Sequence, residues 1–307
     1  MALINARQEQ LADVAAGRPR RFGLSAITPE SRYYWVRLLL ENPAAATSLL
    51  FITLIVLLAI AAPLITSYEP NFVNPAVRLQ KPSGDYWFGT DTLGRDVFTR
   101  AVYGGRVSLL VGAAVMIGTA LVGSVFGLVA GYYHRLDTPM MRVMDGFEAF
   151  PGILLAIAIM ASLGAATRNV ILALIIVFTP NVARLMRGAT LVTKRMAYVE
   201  SARAIGMRDH LILRRYVFMN SLSPLIVQCT FVVAFAILAE ASLSFLGAGV
   251  PAGTATWGNM VAEGQTYLQR AWWMVIFPGT LLFLTVMAIN LIGDGLRDAL
   301  DPRSRER

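Results

Sequence analysis

The sequence predicts an all-α integral membrane protein with six transmembrane helices. Three observations carry this. Of 307 residues, 56% are hydrophobic and only 15% are charged, where soluble domains carry about a quarter charged residues. Residues 42–68 and 107–133 are two runs without a charged side chain, each longer than the ~20 residues that cross a hydrocarbon core. The basic residues gather between the apolar runs, where they set orientation rather than face lipid.

Residues 1–42 form a polar tail dotted with Arg7, Arg18, Arg20, Arg21 and Arg32, followed by the amphipathic piece "SRYYWVRLLLEN". The first apolar run is too long for a signal peptide and has no evident cleavage site, so 43–66 reads as an uncleaved first span. Residues 67–106 then form an extracytoplasmic loop. Residues 107–293 read as a five-helix core, with spans near 107–133, 139–163, 170–185, 224–247 and 272–292. A charged loop, 186–220, lies between the fourth and fifth spans. Inside lipid every backbone polar group must be paired within its own segment, so the spans are helices. Residues 294–307 are a second basic tail with Arg303, Arg305 and Arg307.

The positive-inside rule puts the charged loop and both tails in the cytosol, which an even number of spans satisfies. Trp87, Trp257, Trp272 and Trp273 then fall at or near outer span ends, where aromatic belts form. A net charge of +8 would raise nucleic acid as a partner for a soluble chain. Beside membrane spans it points to lipid instead, and no nucleic-acid partner is expected. Cys229 is the sole cysteine, which excludes an intrachain disulfide, and no Cys/His metal cluster or cofactor motif is present.

The stretch "YVESARAIGMRDHLILRRYV", residues 198–217, is too charged to span a bilayer, because each central Arg or Lys costs roughly 2.5–3.5 kcal/mol there. Its periodicity is helical. Tyr198, Ala202 and Ile205 share one face, and Ile212, Leu213 and Val217 share another. Gly206 permits a left-handed turn that ends the first helix, and Asp209 is placed to cap the second. The expected shape is an elbow bent at Gly206. Two readings stand: a hairpin resting on anionic lipid, or a knob whose small residues Ser201, Ala202, Ala204 and Gly206 enter a cleft on a soluble partner.

"ESARAIG" followed by "NSLSPLIVQ" resembles the glutamate-alanine-alanine loop of ABC-importer permeases. With "FGTDTLGRDVFTRAVYGGRVSLLVG", "MRVMDGFEAFP", "ILAEASLSFLGAGV" and "NLIGDGLRDALDPR", the chain resembles the second permease subunit of dipeptide and oligopeptide importers, from the first span to Pro302. The resemblance implies a type I ABC importer permease in a bacterial inner membrane, with the elbow as a cytosolic coupling helix. It makes Glu200, Ala202 and Gly206 the motif residues, with Ser201, Arg203, Met207, Arg208 and Asp209 beside them. It also implies the partners: a second homologous permease in a heterodimer, two ATP-binding subunits that carry ATP and magnesium, an extracytoplasmic binding protein, and a peptide substrate. Ser201 stands where the family usually has alanine. Tyr216 and Met219 stand where it often has histidine and proline, and loss of that proline predicts a straighter second helix.

"GTDTLGRD", residues 89–96, imitates a phosphate loop but lacks the Lys and the Ser or Thr that the chemistry needs. ATP hydrolysis is therefore assigned to other chains. Residues 85–104 read instead as a capped amphipathic helix leading into the second span. Charged groups within spans mark function or a partner. Glu240 reads either as a translocation-path residue meeting a peptide's ammonium group or as a packing carboxylate. Asp145 is expected to pair with Arg142, which leaves Glu148 as a second path candidate. Asn290 is expected to bond to a neighbouring helix, and the glycines Gly112, Gly118, Gly123, Gly127 and Gly131 favour close helix contact. A membrane enzyme using the two glutamates lacks a nucleophile or metal constellation. A proton-coupled secondary transporter, and an importer of glutathione or nickel chelates, are the remaining alternatives.

Overall fold

The computed structural model describes residues 34–300. The basic N-terminal tail and Arg303, Arg305 and Arg307 lie outside the described residues. Among the described residues the secondary structure is helical, apart from one isolated bridge between Thr90 and Asp96. Helix α1 (Tyr34–Glu41) runs into α2 (Pro43–Ile60) through Asn42, whose side chain accepts from the backbone N–H groups of Ala44 and Ala45 at 3.0 and 3.3 Å. With Pro43 at the first helical position, this is a well-formed start. A short turn, α3 (Ala62–Ile65), ends the segment. The Arg106 guanidinium donates to the carbonyls of Ala59 and Ile60, satisfying the end of α2.

The second span begins earlier than expected. Asp96 accepts from the Thr99 N–H at 2.8 Å, and α4 runs unbroken from Val97 to Tyr132. Its 36 residues reach about 54 Å. Residues 85–96 are loop, so the capped helix expected over 85–104 starts only at Val97 and is continuous with the span.

The third span is broken. Helices α5 (His134–Glu148) and α6 (Gly152–Leu163) meet at 89°. Pro151 removes a donor and pushes the preceding residue out of the helical region. The apolar arm α6 has only 12 residues, about 18 Å, while α5 is polar and amphipathic. Among the described residues five helices are long and apolar enough to cross a membrane, and up to six when the bent pair is counted as one span. The others are α2, α4, α7 (Thr167–Thr193), α10 (Leu222–Phe245) and α12 (Trp273–Leu300). Between α7 and α10 lie α8 (Ala197–Ala204), α9 (Asp209–Ile212) and a π-helical turn, 213–218. Between α10 and α12 lies α11 (Trp257–Gly264).

The main core forms where α4, α6, α7 and α10 converge, around Val115, Met160, Leu174, Met186 and Val232. The glycine stripe is consumed inside the chain. A Cβ at Gly112 would meet Ile237 of α10, and Cβ atoms at Gly118, Gly123, Gly127 and Gly131 would meet α7. At Gly127 the Cβ would lie 2.4 Å from the Ala183 carbonyl oxygen. Backbone cannot swing aside as a side chain tip can. Gly127→Ala should therefore destabilise the chain by about 2 kcal/mol, as overpacking does. Gly146→Ala, with nothing within 4 Å of the new carbon, should not. Thermal unfolding in detergent compares the two.

Trp257 and Trp273 are not belt residues. Both are buried, and their indole N–H groups donate to the carbonyls of Ala101 and Thr90 at 2.9 and 3.0 Å. Trp87 and Trp272 are exposed, as belt residues are. Among the described residues, Asn290 makes no hydrogen bond to a neighbouring helix. It lines an apolar groove with Leu238, Phe283 and Met287.

Candidate functional site

The elbow forms as a Schellman motif. Gly206 has φ +78°, its N–H donates to the Arg203 carbonyl at 2.9 Å, and the Met207 N–H reaches the Ala202 carbonyl at 3.1 Å. These are the two reverse bonds that close a helix on a left-handed glycine. Met207 packs into the same cluster as Ala202, the apolar contact that accompanies the motif.

The apolar faces differ from the periodicity reading. Val199 and Ala202 point inward, while Tyr198 is exposed and Ile205, just past the end of α8, is 79% exposed. On the second arm, Ile212 and Val217 are buried and Leu213 packs beside them, as the spacing predicts. Glu200, Ser201, Ala204, Gly206 and Arg208 are all exposed around Ile205. The elbow thus presents a small apolar tip among exposed acids, Glu200 and Asp209, and arginines, Arg203 and Arg208. Ile205 is a tip residue that sequence reasoning treated as packing.

Asp209 does not cap the second arm. Arg208 occupies that position without a side-chain bond, and the Asp209 carboxylate accepts from the Tyr132 hydroxyl at 2.6 Å instead. The Arg203 guanidinium lies 5.0 Å from the centre of the Tyr132 ring. Tyr132 also joins the buried cluster of Val199, Ala202, Ile212 and Val217. Nothing in the local sequence links Tyr132 to residues more than seventy positions away.

The second arm runs from α9 directly into a wider helical turn. Residues 213–218 adopt a π-helical turn, which widens the helix where the elbow joins α10.

Around the elbow, arginines are tied down by acids of α5. Arg187 holds Asp137 through two bonds of 2.5 and 2.7 Å. Arg184 bridges Asp145, at 2.9 Å, and Glu148. Asp145 therefore pairs across to α7 rather than with Arg142, and Glu148 has a partner. Lys194 donates to the Gly131 carbonyl at 2.6 Å. Burial, and then the charges of Arg195 and Arg203, hold its ammonium below the ordinary lysine value.

Glu240 is fully buried. It accepts from Ser108 of α4 at 3.2 Å and from Ser244, one turn on, at 2.9 Å. An apolar cavity of about 280 Å³ lies among α6, α7 and α10, lined by Gly152, Ala156, Phe178, Phe235 and Ser242. Neither Glu240 nor Glu148 lines it.

The opposite end holds a charge cluster that the sequence did not announce. Asp91 binds Arg95 at 2.5 Å, and Arg95 binds Glu263 of α11 at 2.7 Å. Arg100, 1% exposed, reaches Glu263 at 3.2 Å and Asp91 at 3.7 Å. The loop at 89–96 wraps this cluster: Asp91 also accepts from the N–H groups of Leu93 and Arg95.

Residues 123–306 match the family described as binding-protein-dependent transport system inner membrane component. Residues 33–82 match the N-terminal TM domain of oligopeptide transport permease C. A dipeptide transport system permease protein from Alkalihalophilus pseudofirmus is 45% identical over 86% of this chain and 88% of its own length. A glutathione transport system permease protein from Pectobacterium atrosepticum is 42% identical over 89% of this chain and 91% of its own. The fold matches a chain of the MetNI methionine ABC transporter in inward-facing form. That match has a TM-score of 0.55 and 18% identity, and it covers 66% of this chain and 97% of that one. With one family match spanning more than half of the chain, a second on its N-terminal part, and relatives aligned nearly end to end, this multi-pass chain belongs to the binding-protein-dependent transport system inner membrane components, the permease subunits of ABC importers.

Proposed function

We propose that this chain forms half of the translocation pathway of an ATP-driven peptide importer, and that the elbow at Gly206 receives the motion of a separate ATPase subunit. The near end-to-end identity with a dipeptide permease carries the substrate class. Glutathione is itself a small peptide, so that relative falls in the same class. The arginine-rich elbow end faces the cytosol, as do both termini. ATP and magnesium act on the partner ATPases, and a second permease completes the pathway. An external binding protein delivers the peptide at the end that carries the loop 67–96.

The coupling surface is Glu200, Ser201, Ala202, Arg203, Gly206, Met207, Arg208 and Asp209, to which the exposed Ile205 adds an apolar tip. Within this set Ala202 and Met207 shape the elbow from inside, Arg203 and Asp209 turn back to Tyr132 of α4, and Glu200, Ser201, Gly206 and Arg208 meet the ATPase. Of the two path candidates, Glu240 is enclosed by hydroxyl donors and Glu148 is held by Arg184, so both are assigned to packing. The apolar faces of α6 and α10 supply the pathway wall.

Reconstitution tests this. The chain purified with its native partners should take up an equimolar mixture of short peptides into vesicles, read by mass spectrometry, only with ATP and the binding protein present. Uptake by this chain alone, driven by a proton gradient, would instead make it a secondary transporter.

A further inference from the structure

One side chain of the transmembrane body, Tyr132, makes polar contacts with the elbow on both sides of its bend. Arg203 precedes Gly206 and lies over the Tyr132 ring at 5.0 Å. Asp209 follows Gly206 and accepts the Tyr132 hydroxyl at 2.6 Å. One side chain therefore holds both arms, with a cation on its face and a carboxylate at its tip. A Cβ placed at Gly206 has no neighbour within 4 Å, so the bend is not packed against the body on that side. The left-handed glycine shapes the elbow itself, and Tyr132 sets how the elbow leans on the body.

Tyr132 is also the last residue of α4. The preceding residue, Gly131, is held by Lys194 from the end of α7 at 2.6 Å. From there α4 runs without a proline to Arg100 and the Asp96 cap at the opposite end. An unbroken helix carries a push along its axis, whereas the covalent route into α10 passes through the π-helical turn at 213–218.

We propose that Tyr132 is a positioning residue through which elbow movement passes into α4, so that peptide uptake per ATP depends on its hydroxyl. This rests on the importer reading above. The test uses the complete transporter in vesicles with the same peptide mixture, measuring uptake and ATP hydrolysis together. Tyr132→Phe keeps the ring in its cluster and loses only the bond to Asp209. Its uptake per ATP should fall about tenfold, the scale of one charge-assisted hydrogen bond, while ATP hydrolysis stays near the wild-type rate. Asp209→Ala removes the same bond from an exposed position and should reproduce the effect should Tyr132→Phe fail to assemble. Asp209→Asn, whose amide oxygen still accepts, should recover part of it. Tyr133→Phe, on the neighbouring exposed ring, should match wild type. An unchanged ratio of uptake to hydrolysis in both Tyr132→Phe and Asp209→Ala would overturn the proposal, even if both rates fell together. Failure of the wild type to take up peptide with ATP would overturn the importer reading instead.

Discussion

Replacing Gly206 with proline should abolish coupled uptake while ATP hydrolysis continues. Proline fixes φ near −65° and has no N–H, whereas Gly206 sits at φ +78° and donates to the Arg203 carbonyl at 2.9 Å. The Schellman closure cannot survive. A cost of about 3 kcal/mol lowers the population of the docked elbow by about a hundredfold, and uptake should follow it. Gly206→Ala is the graded control. Its Cβ meets nothing, so only the left-handed backbone penalty of about 1–2 kcal/mol remains, and uptake should fall by about tenfold. Glu200→Arg tests the same surface by charge. It sets a cation at the first turn of α8, where the helix dipole favours an acid. All three variants should insert normally, because the elbow lies outside every apolar span. Uptake and hydrolysis rates on one vesicle preparation decide the matter, and wild-type uptake by Gly206→Pro would remove the elbow from the mechanism.

What could be read in the sequence, and what could not, divides by range. The glycine bend was legible because a left-handed residue after a short helix is a local event, fixed within five positions. The apolar runs were legible because hydropathy is a sum over a window. The partners of charged groups were not. Asp145 has Arg142 within a helical turn, yet it bonds Arg184, 39 positions away. Local spacing states which pairs can meet but not which competing pair packing brings closer. Tyr132 escaped for the same reason. Trp257 and Trp273 were misplaced because an aromatic at a span end satisfies both the belt pattern and a buried site with a carbonyl to bond. The break at Pro151 was signalled by its residue type and passed over because the flanking window was apolar enough to average through it.

The consequence for the coupling site is that its residues fall into two groups. Motif positions such as Ala202 and Gly206 make the elbow's shape, and a family pattern records them. The surface that a partner would feel, with Ile205 at its tip, and the strut at Tyr132 are set by what the shape exposes and what it leans on. A substitution at Ile205 should change affinity for the ATPase, and one at Tyr132 should change transmission.

The second large effect lies at the opposite end. Arg95, Arg100, Asp91 and Glu263 sum to zero charge; the first three precede the uncharged run that begins at Val107, and Glu263 joins them from α11. Arg100 and Asp91 are nearly sealed from water, at 1% and 3% side-chain exposure, while Glu263 retains 26%. Removing one member leaves a buried charge without its partner, which costs about 3 kcal/mol or more. Glu263→Gln keeps the volume and leaves Arg100 with Asp91, at 3.7 Å, as its remaining carboxylate partner. The melting temperature should drop by roughly 6 °C or more. Arg100→Met leaves the opposite imbalance and should cost a similar amount. Combining the two restores neutrality around the intact Arg95–Asp91 pair, so the double variant should be more stable than the sum of the singles by about 1–3 kcal/mol. Thermal unfolding of the four proteins in detergent measures this. Strict additivity would mean that the cluster is four independent contacts. A positive coupling would make it one lock joining the start of α4 to α11, so that a push on α4 at Tyr132 arrives at an anchored end.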